Sequence, residues 1–449
     1  MPRLLVRPGR PAAALLGVVL AVAGCTGQAA TPPPTSAPTA AVKAAAPTAA
    51  AAAPTAAPKA VAPTTAPTAA PKAVAPTTAP TAAPKAVAPT TAPTAAPKTT
   101  GPLMPTNLAA MPKVEVLVSG LDTPWAIDFA PDGRIFVTER GGRIRTITDG
   151  KLDPEPWLTL DVAEVGESGL MGLTLDPNFA QNRYLYATYT YRQGNQLFNR
   201  LVRLRDDPAT GKGIEDKTLV DAVPTNVNHS GGRVRFGPDG KLYWTMGDAQ
   251  QTQLAQNPSS LLGKVMRLNP DGSAPSDNPF PNSIVYSIGH RNPQGLAWQP
   301  GTNRLYETEH GPSGGQGGGQ DEVNLIEPGQ NYGWPTITGD QTREGLVSPI
   351  AQSGTSTTWA PGGAAFVTQG PWSGALVFVG LRGQSLYRVV LDPNDPRKVQ
   401  QLTPLLQGQY GRLRDIQQGP NGALYVTTSN LDGRGNPPPD GDKVLRLTF

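Results

Sequence analysis

Histidine is scarce in this chain, with three residues in 449. One of them, His229, stands in the loop Asn228-His229-Ser230-Gly231-Gly232, just before a strand-like run. Asp248 stands just after the next such run, LYWTMG, and Pro238-Asp239-Gly240 between the two runs is a strong turn signal. A hairpin brings the residue before its first strand near the residue after its second. His229 and Asp248 are therefore expected neighbours, although 19 positions apart. An imidazole oriented by a carboxylate is the usual arrangement of a general base. On spacing alone, a loop histidine and a turn aspartate with no shared role is the simpler reading.

Other polar residues cluster in loops of the same kind. The stretch IGHRNPQGLAW (288–298) places Arg291, Asn292 and Gln294 on a turn. In the Gly-rich stretch 307–335, the carbonyls of Gly311 and Pro312, with Glu322 nearby, are hard oxygen ligands of the type that suits Ca²⁺. A surface loop with an acidic pair reads the same way. Arg412 and Arg414, at spacing two, share one side of an extended strand. Two guanidinium groups facing one way suit a carboxylate or another anion, and equally a solvated face. The sequence has no P-loop, no GxGxxG after a strand, no Cys/His zinc spacing and no GxSxG. Nicotinamide and serine-nucleophile chemistry therefore find no support.

The elements that must position these residues repeat. A turn followed by a short aromatic or β-branched run occurs six times: PDGRIFVTE (131–139), QNRYLYATYT (181–190), PDGKLYWTM (238–246), GTNRLYETE (301–309), WSGALVFVG (372–380) and PNGALYVTT (420–428). Most copies lead to a second run: GRIRTI (142–147), RLVRLR (200–205), GKVMRL (263–268), DEVNLI (321–326), SLYRVV (385–390) and DKVLRL (442–447). Six such pairs, with starts roughly 50 to 70 residues apart, predict an all-β ring of six four-stranded antiparallel blades, a β-propeller, over residues 114–449. The last run lies at the end of the chain, so closure is expected by pairing it with the first strands of the domain. An irregular β-sandwich is the alternative.

Residues 1–24 read as a secretory signal: Arg3, Arg7 and Arg10, then an apolar run too short to span a bilayer. It ends at Val22-Ala23-Gly24-Cys25, which resembles a bacterial lipobox and marks Cys25, the sole cysteine, as a lipidation site. The domain therefore has no internal disulfide and is expected outside the cytoplasm, tethered to a membrane. Residues 25–113 are mostly Ala, Pro, Thr and scattered Lys, with the 13-residue unit PTAAPKAVAPTTA recurring from Pro54. With almost nothing apolar to bury, such a segment is expected to be a disordered, semi-rigid spacer. The net charge of +4 carries no basic stripe and gives no sign of a nucleic-acid partner.

Taken together, these motifs carry a resemblance. PWAIDFAPDGRIFVTER, GLMGLTLDPNFAQNRYLYATYT, NHSGGRVRFGPDGKLYWTMGD, GKVMRLNPDG, GHRNPQGLAW, EHGP, DEVNLI, NYGWP and GRLRD stand in the order of the soluble quinoprotein glucose/sorbosone dehydrogenase family, and the sequence is most similar to its aldose sugar dehydrogenase branch. The resemblance implies a six-bladed propeller that binds pyrroloquinoline quinone on its top face and oxidises the anomeric hydroxyl of sugars to lactones, with an external electron acceptor. It implies His229 as the base, Asp248 as its orienting carboxylate, and Arg291, with Asn292 beside it, at the quinone oxygens. It further implies Arg382, Arg412 and Arg414 at the cofactor carboxylates, Gly311 and Pro312 as Ca²⁺ ligands, and Glu322 and Tyr332 at a second, structural Ca²⁺. The chain departs from the pattern in three places: Glu167 where the family often has Gln, a cofactor or sugar contact; Arg382 where glucose dehydrogenases have Lys; and the insert 314–320 in the metal loop. A binding propeller without catalysis and a Ca²⁺-dependent lactone hydrolase are the competing functions.

Overall fold

The computed structural model describes residues 102–312 and 318–449. The expected signal, Cys25 and the repeats of the spacer lie outside the described residues. Six antiparallel sheets follow one another in the pattern of a six-bladed propeller. Blade one comprises Pro124–Phe129, Ile135–Glu139, Arg143–Thr148 and Lys151–Leu152, with Leu158–Thr159 also paired to its third strand. Blade two is Leu170–Leu175, Tyr184–Gln193, Gln196–Asp207 and Lys212–Thr225. Blade three is Val234–Phe236, Leu242–Met246, Lys264–Leu268 and Val285–Ile288, and blade four is Pro293–Trp298, Leu305–Glu309, Glu322–Ile326 and Ala351–Gln352. Blade five is Pro361–Phe366, Leu376–Gly380, Leu386–Leu391 and Val399–Leu405. Blade six takes Leu413–Gln418, Leu424–Thr428 and Asp442–Thr448 from the end of the chain and its outermost strand, Lys113–Leu121, from the beginning of the domain. The ring closes there, with Lys113 opposite Thr448 and Leu121 opposite Asp442. The residues before Lys113 lie against blade five: Trp372 Nε1 donates to the Ala110 carbonyl and Arg388 Nη1 to that of Leu108.

Each of the six repeated runs is the second strand of a blade, and each following run the third. The turn before the second strand explains the repeat. In blades one, three and six, a side-chain oxygen of Asp132, Asp239 or Asn421 accepts the N–H two residues on. Gly133, Gly240 and Gly422 supply the positive φ that such turns need. Between blades lie buried apolar clusters, such as Trp125, Phe136, Trp157, Phe179 and Leu185 between blades one and two. Each such side chain contributes about 1.5–3 kcal/mol by leaving water.

The inner strands are interrupted by bulges, with register shifts between Pro124 and Ile127, Leu170 and Leu173, Pro293 and Gly295, Pro361 and Ala364, and Leu413 and Asp415. The threonine of the repeated second strand fills the gap. Thr138 Oγ1 accepts the Ala126 N–H and donates to the Met171 carbonyl of the next blade. Thr245 Oγ1 likewise accepts from Arg233 N and donates to Pro293 O, and Thr308 Oγ1 donates to Gly362 O. At Thr138 one hydroxyl thus serves a bulge and stitches two blades. The inner strands also approach too closely for side chains. A Cβ at Gly362 would stand 2.1 Å from the Arg414 carbonyl, and one at Gly363 1.7 Å from Asp415 Oδ1. Asp415 ties the axis together, accepting Ile127 N–H (3.0 Å), Arg233 Nη1 (2.9 Å) and Arg235 Nη2 (3.2 Å).

Candidate active site

Two kinds of loop open on one face of the ring: those entering the inner strands, and those joining second strands to third. They enclose a cavity of about 450 Å³ at the axis. Trp125 and Arg414 line it from bulges in the inner strands of blades one and six, and Gln294 from the bulge in blade four. Bulges re-aim side chains, and here they turn three of them toward the cavity. Glu167, His229, Arg291, Ala360 and Arg412 enter from the segments just before inner strands, and His310, Arg382 and Arg434 from the loops between second and third strands.

His229 and Asp248 meet as the hairpin predicts. His229 Nδ1 lies 2.7 Å from Asp248 Oδ1, and the Asp248 side chain is 0% exposed. A carboxylate only accepts, so in the neutral ring Nδ1 carries the hydrogen and Nε2 keeps its lone pair. His229 adopts φ 60°, a left-handed conformation that turns the chain sharply between Asn228 and the inner strand. Asp248 is itself held by the Gln250 N–H on Oδ1 (2.7 Å) and the Trp334 indole on Oδ2 (2.8 Å).

Glu167 lies in the wall beside this pair. Its Oε2 accepts the His229 N–H (3.0 Å) and Asn292 Nδ2 (3.3 Å), and its Oε1 accepts Arg434 Nη1 (2.9 Å). Burial pushes the Glu167 carboxyl up, but the His310 ring, the His229 N–H and Arg434 together hold it down at about 2. It is thus a fixed carboxylate that fastens the His229 backbone. Asn292 stands behind the wall, fully buried, where its Oδ1 accepts from Gly231 N and Gln294 Nε2. It positions the loop and does not line the cavity. Arg291 does line it, with Nη1 donating to the His310 carbonyl (3.1 Å).

The two arginines of the GRLRD motif differ. Arg412 is paired through Nε (2.8 Å) and Nη2 (2.7 Å) with Asp432. Arg414, 6% exposed, has no carboxylate partner: Nη1 donates to Gln294 Oε1 (3.1 Å), and Nε has no partner among the described residues. Burial and the neighbouring cations Arg412 and Arg140 press its pKa down to about 9, despite Asp432 and Glu167. A buried cation so placed favours an anion in the cavity. Arg382 is exposed at the rim.

The expected metal ligands lie outside the cavity lining. Gly311 and Pro312 follow the cavity residue His310 without lining the cavity themselves. Gly311 N–H is held by Asp321 Oδ1 (2.9 Å), and the Pro312 carbonyl accepts Gly319 N–H (2.9 Å). Residues 313–317 of this loop lie outside the described residues. Glu322 belongs to a buried group of three carboxylates with Glu307 and Glu309, joined by Asn324, whose Nδ2 donates to Glu307 (3.1 Å) and Glu322 (3.3 Å). Ligand atoms of His290, Glu307 and Glu309 all lie within 4.8 Å of one another. Burial raises all three carboxyl pKa values, and Glu309 adds repulsion on the other two. Glu307 Oε1 and Asn324 Oδ1 are buried without a partner among the described residues, as expected of atoms that face a cation. The Tyr332 hydroxyl is engaged, donating to Leu325 O (2.6 Å) and accepting Glu327 N–H (2.8 Å), which leaves its main-chain carbonyl as the oxygen it can offer.

Sequence reasoning placed His229, Asp248, Arg291, Glu167, Arg382, Arg412 and Arg414 on this face, and the structure brings them together. It missed Trp125, His310, Asp432 and Arg434 as members of the site. Only the PWA and EHGP motifs held any signal for the first two.

The fold and the site together define a six-bladed propeller with a carboxylate-held imidazole and buried arginines at one axial cavity. The chain belongs to the glucose/sorbosone dehydrogenase family, whose model matches residues 121–436. It is 34% identical over 346 residues to aldose sugar dehydrogenase YliI of Escherichia coli, covering 71% of this chain and 91% of that one. It is 28% identical over 433 residues to quinoprotein glucose dehydrogenase B of Acinetobacter calcoaceticus, covering 74% and 87%. The PQQ-bound form of aldose sugar dehydrogenase from Streptomyces coelicolor matches at a TM-score of 0.66 and 35% identity, over 75% of this chain and 98% of that one.

Proposed function

We propose that the protein is a pyrroloquinoline quinone-dependent sugar dehydrogenase that oxidises aldoses at the anomeric carbon to lactones. The observation that carries this reading is one cavity holding both a carboxylate-fixed imidazole and a buried arginine, with Nε2 of the one free and the other lacking a carboxylate partner among the described residues. The donor set fits a flat tricarboxylate: Arg414, Arg412 and Arg382 would hold its carboxylates, and Arg291 its quinone oxygens. When bound, the quinone supplies the acceptor for the hydride that leaves the sugar carbon. His229 Nε2 takes the proton of the C1 hydroxyl in the same event, and Asp248 stabilises the imidazolium so formed. Arg291 would present its guanidinium to the quinone oxygens. Glu167 fixes His229 through its backbone and shares Arg434 with Asn228.

Gly311 and Pro312 would supply carbonyl oxygens to a Ca²⁺ at the quinone, and Glu322, with the Tyr332 carbonyl, would serve a second, structural Ca²⁺. An external acceptor would reoxidise the cofactor. Cys25 would carry a lipid that holds the domain outside the cytoplasm, and Cys25→Ser is expected to move the protein from the membrane fraction to the soluble one. The decisive experiment is a dye-linked oxidation assay across aldoses with quinone and Ca²⁺ added singly and together. Activity is expected only with both; equal activity after chelation and quinone removal would overturn the assignment.

A further inference from the structure

Trp334 lies outside the cavity lining, on the segment between the third and fourth strands of blade four, yet its side chain meets two of the groups assigned above. Its Nε1–H is 2.8 Å from Asp248 Oδ2. The Arg291 guanidinium carbon stands 5.4 Å from the centroid of its ring, within cation–π range. The residue is pinned by its backbone. Its N–H donates to the Gly289 carbonyl (2.9 Å), and its carbonyl accepts Gln256 Nε2 (2.6 Å). Gln256 in turn exchanges hydrogen bonds with the Asn331 side chain at 2.7 and 3.1 Å. The indole therefore stands on a frame shared by blades three and four.

The donors on Asp248 are divided. Oδ1 takes His229 Nδ1 and the Gln250 N–H, while the hydrogen bond to Oδ2 comes from Trp334. Without the indole N–H, Oδ2 loses this donor, and the plane of the carboxylate is held only through the two contacts on Oδ1. We propose that Trp334 is a positioning residue for sugar oxidation: its N–H locks Asp248, and through it His229, while its ring face sets Arg291. The base and the quinone-side cation are then registered to one side chain. This inference rests on the proposed role of His229.

Two substitutions separate the two contacts. Trp334→Phe keeps an aromatic face and removes the N–H; Trp334→Leu removes both. Trp334→Phe is expected to lower kcat about tenfold, the scale of one charge-assisted hydrogen bond, with sugar KM and quinone affinity by absorbance titration unchanged. Trp334→Leu is expected to weaken quinone binding as well. In an Asp248→Ala background, Trp334→Phe should cost nothing further, because the two act as one unit.

A readout free of cofactor comes from ¹⁵N NMR of the apoprotein. With only three histidines, the His229 ring nitrogens are assigned by their loss in His229→Gln, and Trp334→Phe should shift them. Unchanged kcat and unmoved His229 signals in Trp334→Phe would overturn the proposal. If His229→Gln keeps full turnover while Trp334→Phe still shifts the His229 signals, the base assignment fails and the lock on Asp248 stands. Should Trp334→Phe not fold, Asp248→Asn reads the same contact from the other side: the Trp334 indole N–H signal moves, and an unmoved signal overturns the lock.

Discussion

His229→Gln preserves a polar side chain of similar reach and removes the nitrogen that can take and hold a proton. Turnover is expected to fall by about 10²–10⁴-fold, the usual contribution of a positioned base. Quinone affinity should change little, because Arg291, Arg382, Arg412 and Arg414 do not depend on the imidazole. Asp248→Asn should lose less, and the double variant scarcely more than His229→Gln alone. Steady-state rates at saturating quinone, beside absorbance titrations of the quinone, check all three. The pairing was legible because a hairpin with the turn Pro238-Asp239-Gly240 fixes where its two ends meet. Arg434 was not legible, since it reaches Glu167 from a different blade, and neither was Asp432, which meets Arg412 from another loop of blade six, 20 positions on. Nor could sequence distinguish Arg412, paired with Asp432, from Arg414, whose buried Nε has no partner among the described residues.

At the scale of the element, the repeated threonine is as much a part of the repeat as the turn. Thr138→Val should leave the Ala126 N–H and the Met171 carbonyl buried without their partner. The expected loss is about 2–4 kcal/mol of stability, read by chemical denaturation, and Thr138→Ser should restore most of it. The strands themselves were legible, because turn, aromatic run and basic run recur together through the chain. The bulges were not. They arise where the inner strands press on one another, as Gly362 does on Arg414, and no single strand's pattern records its neighbour in the ring. That is why Trp125 and Gln294, aimed by bulges, carry less signal than His229, which is aimed by a turn.

For the molecule as a whole, the buried carboxylates of blade four tie stability to pH. Burial raises Glu309 and Glu322 to about 8, whereas an unfolded glutamate titrates near pH 4.3. Between those values the folded state binds more protons than the unfolded one, so stability falls as pH rises. A divalent cation in place of the protons should remove the fall. The melting temperatures of Ca²⁺-loaded and chelated protein are therefore expected to diverge as pH rises from about 5 to about 8; parallel curves would disconnect the cluster from the metal. The closure of blade six has a different consequence, one of time. Lys113–Leu121 finds its partner only when Asp442–Thr448 has been made, and contacts so distant in sequence form slowly. A chain synthesised from its N-terminus must keep that strand's edge unpaired until Asp442–Thr448 has been made, so a message cut before those codons yields an open ring rather than a shorter propeller.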